Sequence, residues 1–124
     1  MEVTYVVSPG ELYWGEDPNA QGSEQRGRRL WLIISRRALN ANNTVVVVPV
    51  TSRIEKALKH PAFCIILPAG EIVVNAGQPP SKDCVALCHQ VRVFDKTRFL
   101  EQYGKLSLSA VPSVQLGLSY VFNL

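Results

Sequence analysis

Two apolar runs dominate the chain. Leu30 to Ser35 and Thr44 to Thr51 are continuous, of strand length, and rich in Val and Ile. Runs of this kind predict β-strands. Shorter strand-like segments flank them: Glu11 to Trp14, Ala62 to Leu67, and an extra strand at Glu71 to Asn75. The last of these is bracketed by Ala69-Gly70 and by Ala76-Gly77-Gln78-Pro79-Pro80. Cys84 to Val93 reads as the last long strand. Between the two main runs, Leu39 to Asn43 is a connection with turn-forming asparagines. Arg53 to Lys59 predicts a brief helix, and Gly15 to Arg28 a long polar loop. Near the end, Val111, Val114, Leu118 and Val121 recur at helical spacing. Ser107 begins this helix, with an early proline at Pro112. Short strands at regular intervals argue for a small, mainly β barrel.

Composition narrows this picture without redirecting it. At 124 residues the chain is a single domain, 1–124. Its hydrophobic fraction, 47%, is ordinary for a globular protein. Met1 to Thr4 has no basic n-region, and no apolar run approaches the roughly eighteen residues of a membrane span. The expectation is a cytoplasmic protein without membrane contact. Three cysteines, Cys64, Cys84 and Cys88, are an odd number. Cys84 and Cys88, read as one strand, would lie roughly 13 Å apart on one face, too far for a disulfide. Reduced, buried thiols are the expected outcome, and no spacing suggests a zinc site.

Charge changes the picture more. Residues 1–25 carry five acids and no base, whereas residues 26–53 carry six arginines and no acid. Such a block attracts a polyanion or an acidic partner. A solvated basic face is the alternative. That all six are Arg favours gripping of phosphate or carboxylate, because the guanidinium is a planar fork. Arg28 and Arg29 stand at the mouth of one predicted strand, and Thr51 and Ser52 at the end of the next. Together they are apparatus for holding a phosphate. Tyr13, Trp14 and Trp31 interleave with this segment, either as faces for splayed bases or as core.

Four blocks carry a resemblance. They are Gly10-Glu11-Leu12-Tyr13-Trp14, then Gly22-Ser23-Glu24-Gln25-Arg26-Gly27-Arg28-Arg29-Leu30, then Val47-Val48-Pro49-Val50-Thr51-Ser52, then His89-Gln90-Val91-Arg92-Val93-Phe94-Asp95-Lys96-Thr97-Arg98. In this order they resemble the signature of the MazF/PemK toxins, small bacterial endoribonucleases, from about Gly10 to the C-terminus. The resemblance implies an SH3-like barrel with short helices and a C-terminal helix. It also implies the toxin of a type II toxin–antitoxin system that cleaves single-stranded mRNA at preferred sequences. The products would be 2′,3′-cyclic phosphate and 5′-hydroxyl ends. No cofactor or metal is implied. Expected partners are single-stranded RNA, an acidic antitoxin and a second copy of the chain in a homodimer.

Residue by residue, Arg29 matches the arginine that the family carries as catalytic, here followed by Leu30 where relatives usually have proline. Thr51 matches the second residue tied to catalysis. His89 stands where relatives usually place Asp or Glu. It is a third catalytic candidate, a sign of an altered site, or a structural histidine. Surrounding arginines would lower its pKa. Glu24, Gln25, Arg26, Arg28, Ser52, Arg53 and Arg92 are the candidate RNA-binding residues. Arg98 is expected to extend the phosphate track, Asp95 to cap a turn, and His60 to be solvated. Two rival readings stay open. One is a gyrase-binding toxin like the related CcdB, and the other a decayed homologue that binds RNA or antitoxin without cleaving.

Overall fold

The computed structural model describes residues 7–16 and 28–124. Its strands are β1 (Glu11–Glu16), β2 (Arg28–Ile33), β3 (Thr44–Thr51), β4 (Cys64–Leu67), β5 (Ile72–Val74), β6 (Cys84–Leu87), β7 (Arg92–Asp95) and β8 (Phe99–Leu106). Two α-helices, α1 (Glu55–Lys59) and α2 (Val111–Phe122), and three single-turn 3-10 helices, at Leu39–Ala41, Ala69–Glu71 and Lys96–Arg98, complete the described elements. The strands form one curled eight-stranded sheet in the order β4-β6-β3-β2-β1-β8-β5, with β7 also paired to β3. The mainly β class, the short helices and the C-terminal helix are as expected from the sequence.

The continuous apolar runs have a simple cause. The central strands are covered on both faces, so neither face can be polar. Successive side chains alternate between two cores. Leu12, Leu32, Val48 and Val50 enter one, beneath α2. Tyr13, Trp31, Ile33, Val45 and Val47 enter the other, with Phe94 and Phe99. Trp31 is fully buried against Phe94, and Tyr13 stacks on Phe99 at 4.8 Å, so these two rings are core. On α2, Val114 is buried, and Val111, Leu118 and Val121 pack against the first core. The predicted helical stripe is therefore the buried face.

The last long strand is not continuous. It breaks into β6 and β7, with Cys88–Val91 turning between them. Pro49 supplies the reason. On its outer edge β3 pairs with β7 through Val47 and with β6 from Val50. Pro49 falls in the gap, where its missing N–H leaves no ladder bond to lose. β8 went unpredicted although it pairs with β1 and β5. Two register shifts against β1 break its alternation, and Glu101-Gln102 interrupt its apolar positions. The helix also starts later than Ser107. Ser107 and Ser109 turn their hydroxyls to the Glu71 carboxylate instead, the second at 2.8 Å, and these bonds hold that carboxyl below its ordinary range.

Asn40, expected only as a turn former, is fully buried. Its Nδ2 donates to the Val7 carbonyl at 3.0 Å and to the Ser35 carbonyl at 2.8 Å, while Lys96 Nζ donates to the Asn40 carbonyl. Asp95 caps a turn as expected, accepting from Thr97 N at 2.9 Å. All three cysteines are buried and free. Among the described residues no helix is long and apolar enough to cross a membrane.

Candidate active site

Antiparallel pairing of β2 with β3 sets Leu30 opposite Val50. One step beyond, Arg29 and Thr51 arrive at the same end of the sheet. Arg29 is half-buried, its guanidinium carbon 5.6 Å from the centroid of the Trp31 indole. A core ring thus supports the cation from beneath. Thr51 Oγ1 accepts a hydrogen bond from Arg53 N at 3.3 Å. A hydroxyl keeps its own proton when it accepts, so this bond fixes the oxygen and leaves the O–H for a ligand.

These groups border a cleft of about 430 Å³. Arg29, Thr51 and Ser52 form its polar end. Its apolar wall includes Leu30, Val50, Ile72 and the rings of Trp14 and Tyr103. The segment between β5 and β6 closes the other side with Pro79, Pro80 and Lys82. Among the described residues no carboxylate lines the cleft. The result is a slot with two cations, two hydroxyls and a hydrophobic floor, suited to a phosphate with an attached planar ring. Cys84 also lines it, but burial pushes its thiol up to about 11, with Asp83 adding to the effect. A neutral thiol is a poor nucleophile, so Cys84 serves as wall.

Trp14 is held from several sides. Its Nε1 donates to Gln78 Oε1 at 2.8 Å, Tyr103 meets it edge-on at 5.5 Å, and Arg28 lies over its ring at 5.0 Å. Glu101 joins the set, accepting from Arg28 at 3.1 Å and from Gln78 Nε2 at 2.9 Å. Tyr103 in turn donates to the Pro79 carbonyl at 3.0 Å.

With this geometry stands a match to known proteins. A family model described as PemK-like, MazF-like toxin of type II toxin–antitoxin system matches residues 8–122. The chain belongs to this toxin family. It is 33% identical over 103 residues to Endoribonuclease MazF of Staphylococcus saprophyticus, covering 82% of this chain and 79% of that protein. The crystal structure of MazF from Deinococcus radiodurans is similar with a TM-score of 0.69 and 29% identity, covering 97% of this chain and 99% of that one. A MazE–MazF structure from the same organism gives 0.68 and 27%, with the same coverage.

Within this MazF-family fold the sequence candidates separate. Arg29, Thr51 and Ser52 come together in the cleft, and Arg28 adjoins it over Trp14. Arg53 turns instead to α1, where it pairs with Glu55 at 3.2 Å. Exposed to solvent on both sides, that pair adds little to stability. Arg92 lies half-buried on β7, opposite Val47, and does not line the cleft. Glu24, Gln25 and Arg26 lie outside the described residues. Lys82, Gln78, Tyr103 and Glu101 were missed. For Gln78 and Lys82 the signal was the long, proline-containing connection between β5 and β6; Glu101 and Tyr103 lie on β8, which the sequence did not reveal.

His89 is not in the cleft. It sits exposed on the turn between β6 and β7, edge-on to Phe63 at 4.7 Å. Its pKa is lowered, chiefly by desolvation of the part of the ring that is covered although the residue as a whole is exposed, then by Lys56 and His60, rather than by the arginines expected. The folded state therefore favours the neutral ring. Below the ordinary histidine value of about 6.5 the unfolded chain binds more protons, so this contribution is full above that pH and is lost on acidification. Wild type is expected to show a lower urea midpoint at about pH 5.5 than at pH 7, and His89→Gln to shrink the difference. An unchanged difference in the variant would assign the pH dependence elsewhere.

Proposed function

We propose that this toxin is an endoribonuclease that cleaves single-stranded mRNA at preferred sequences without a metal ion, and so inhibits translation and growth. The observation that carries the reading is that Arg29, Thr51 and Ser52 line one end of a single apolar cleft. The kinship with a curated MazF endoribonuclease supports it.

RNA supplies its own nucleophile. The 2′-oxygen bonds to the adjacent phosphorus, the bond from phosphorus to the 5′-oxygen breaks, and the 2′ proton is lost while the leaving oxygen gains one. The products are a 2′,3′-cyclic phosphate and a 5′-hydroxyl. Negative charge peaks on the non-bridging oxygens, where a guanidinium binds in bidentate fashion and a fixed hydroxyl donates. Arg29 and Thr51 fit these roles. Arginine holds its protons too tightly to act as an acid, so Arg29 acts by electrostatic stabilisation. His89, placed outside the cleft, is assigned no step.

The partner of the basic segment follows from the same chemistry. An acidic antitoxin would compete with RNA for these cations, and the existence of a Deinococcus MazE–MazF structure supports a protein partner for this family. A homodimer would lengthen the groove across its two-fold axis. Incubation of the purified protein with long single-stranded RNA in a chelator, followed by end-group analysis, tests the proposal. Cleavage with cyclic-phosphate ends is expected. Strict dependence on Mg²⁺ or Mn²⁺ would overturn the metal-free mechanism, and light scattering showing a fully active monomer would remove the dimer.

A further inference from the structure

Lys82 lines the cleft, yet no block of the resemblance contains it. Its segment is pinned at three points. Tyr103 Oη donates to the Pro79 carbonyl at 3.0 Å. Ser81 Oγ donates to the Ala69 carbonyl at 2.8 Å, and Asp83 Oδ1 accepts from Ala69 N at 2.8 Å. The two residues that flank Lys82 are thus both committed to Ala69, while Lys82 itself borders the cleft. Its charge reaches the wall there, acting to lower the Cys84 pKa that burial and Asp83 raise.

Among the described residues no ion pair engages the Lys82 ammonium. The carboxylate next to it in sequence, Asp83, is the one bonded to Ala69 N. No carboxylate among the described residues lines the cleft, so the cleft offers Lys82 no counter-charge of its own. A cation presented in this way by a fixed segment suits an anion brought by a ligand.

That anion is not the one assigned to Arg29. A phosphodiester has two non-bridging oxygens, and a guanidinium fork takes both. At the same end of the cleft Thr51 and Ser52 add their hydroxyls. A cation on the wall of Pro79 and Pro80 is left without an oxygen of that phosphate. Leu30, Val50 and Ile72 contribute the apolar lining, and the cleft measures about 430 Å³, a size that holds a small organic ligand. A ribose with its base fits such a space, and the next phosphate of the chain then emerges on the other side. Lysine suits it. Its ammonium is a point charge on a flexible stem and grips a phosphate without demanding one orientation. We propose that Lys82 is an RNA-binding residue that takes the phosphate next to the scissile one, so that a single nucleotide is held between Lys82 and Arg29. The inference rests on the RNA-cleaving reading above.

The test begins with a cut site mapped on a long RNA by the wild-type protein. Short RNAs carrying that site, with a 2′-O-methyl group in place of the attacking hydroxyl, then bind without being cut. In a series of them one phosphate at a time is replaced by an uncharged methylphosphonate. Wild type should lose affinity at the linkage beside the scissile one. Lys82→Gln should bind the all-phosphate RNA more weakly, with the slope of log affinity against log salt smaller by about 0.7, the value for one phosphate of a single strand. It should be indifferent to the methylphosphonate at that one linkage and keep wild-type sensitivity at the others. Lys82→Arg restores the charge and should restore the sensitivity. Thermal melting confirms that each variant is folded. The same linkage profile in Lys82→Gln as in wild type, or a loss spread evenly over every linkage, would overturn the assignment. Failure of wild type to cut any RNA would instead overturn the nuclease reading itself.

Discussion

Arg29→Lys is expected to slow RNA cleavage by two or more orders of magnitude while leaving the fold intact. Lysine keeps the charge and much of the stem. It loses the planar fork, and with it the paired hydrogen bonds to two phosphoryl oxygens. It also loses the flat face that Arg29 lays over the Trp31 ring at 5.6 Å, so the ammonium is both weaker as a donor pair and less well aimed. Loss of one preorganised transition-state donor costs about 2.7–4 kcal/mol. Single-turnover cleavage of a defined RNA, with melting as the folding control, measures the effect. A rate near wild type would remove Arg29 from the chemistry and leave it a binding residue.

Gly104→Ala should produce the largest loss of stability among the conservative changes considered. Gly104 is buried on β8, facing Leu12 of β1 on one side and Val74 of β5 on the other. A Cβ there would lie 2.4 Å from the Val73 carbonyl oxygen and 3.1 Å from Val74 Cα. The obstacle is backbone, so no rotamer change relieves it, and β5 must move away. Overpacking costs about 1–3 kcal/mol where side chains can yield, and more where they cannot. We expect about 3 kcal/mol, a fall in Tm on the order of 10 °C for a domain of this size. RNA cleavage should fall as well, because β5 leads into the Pro79–Lys82 wall of the cleft. A melting temperature within about 2 °C of wild type would show that the ladder adapts.

What was legible in the sequence follows from how locally each feature is determined. β3 could be read to its last residue because burial on both faces makes it a continuous apolar run. Arg29 and Thr51 were legible because adjacent antiparallel strands bring one entrance beside one exit. β8 was hidden by its register shifts, and the break between β6 and β7 depended on Pro49, a residue of a different strand. Pro79 and Lys82 reach the cleft through the β5–β8 pairing, a contact between distant segments that no local pattern encodes. His89 was misplaced for the same reason. Its block was read as one extended strand, and the turn at that point carries it to Phe63.

β5 sits where the sheet tolerates change. Among the described residues it pairs with β8 alone. An alteration after it disturbs a single described ladder, whereas Arg29 and Thr51 sit on strands paired along both sides. On the proposed function, a chimera carrying a relative's segment in place of residues 75–83 should therefore keep the recipient's turnover.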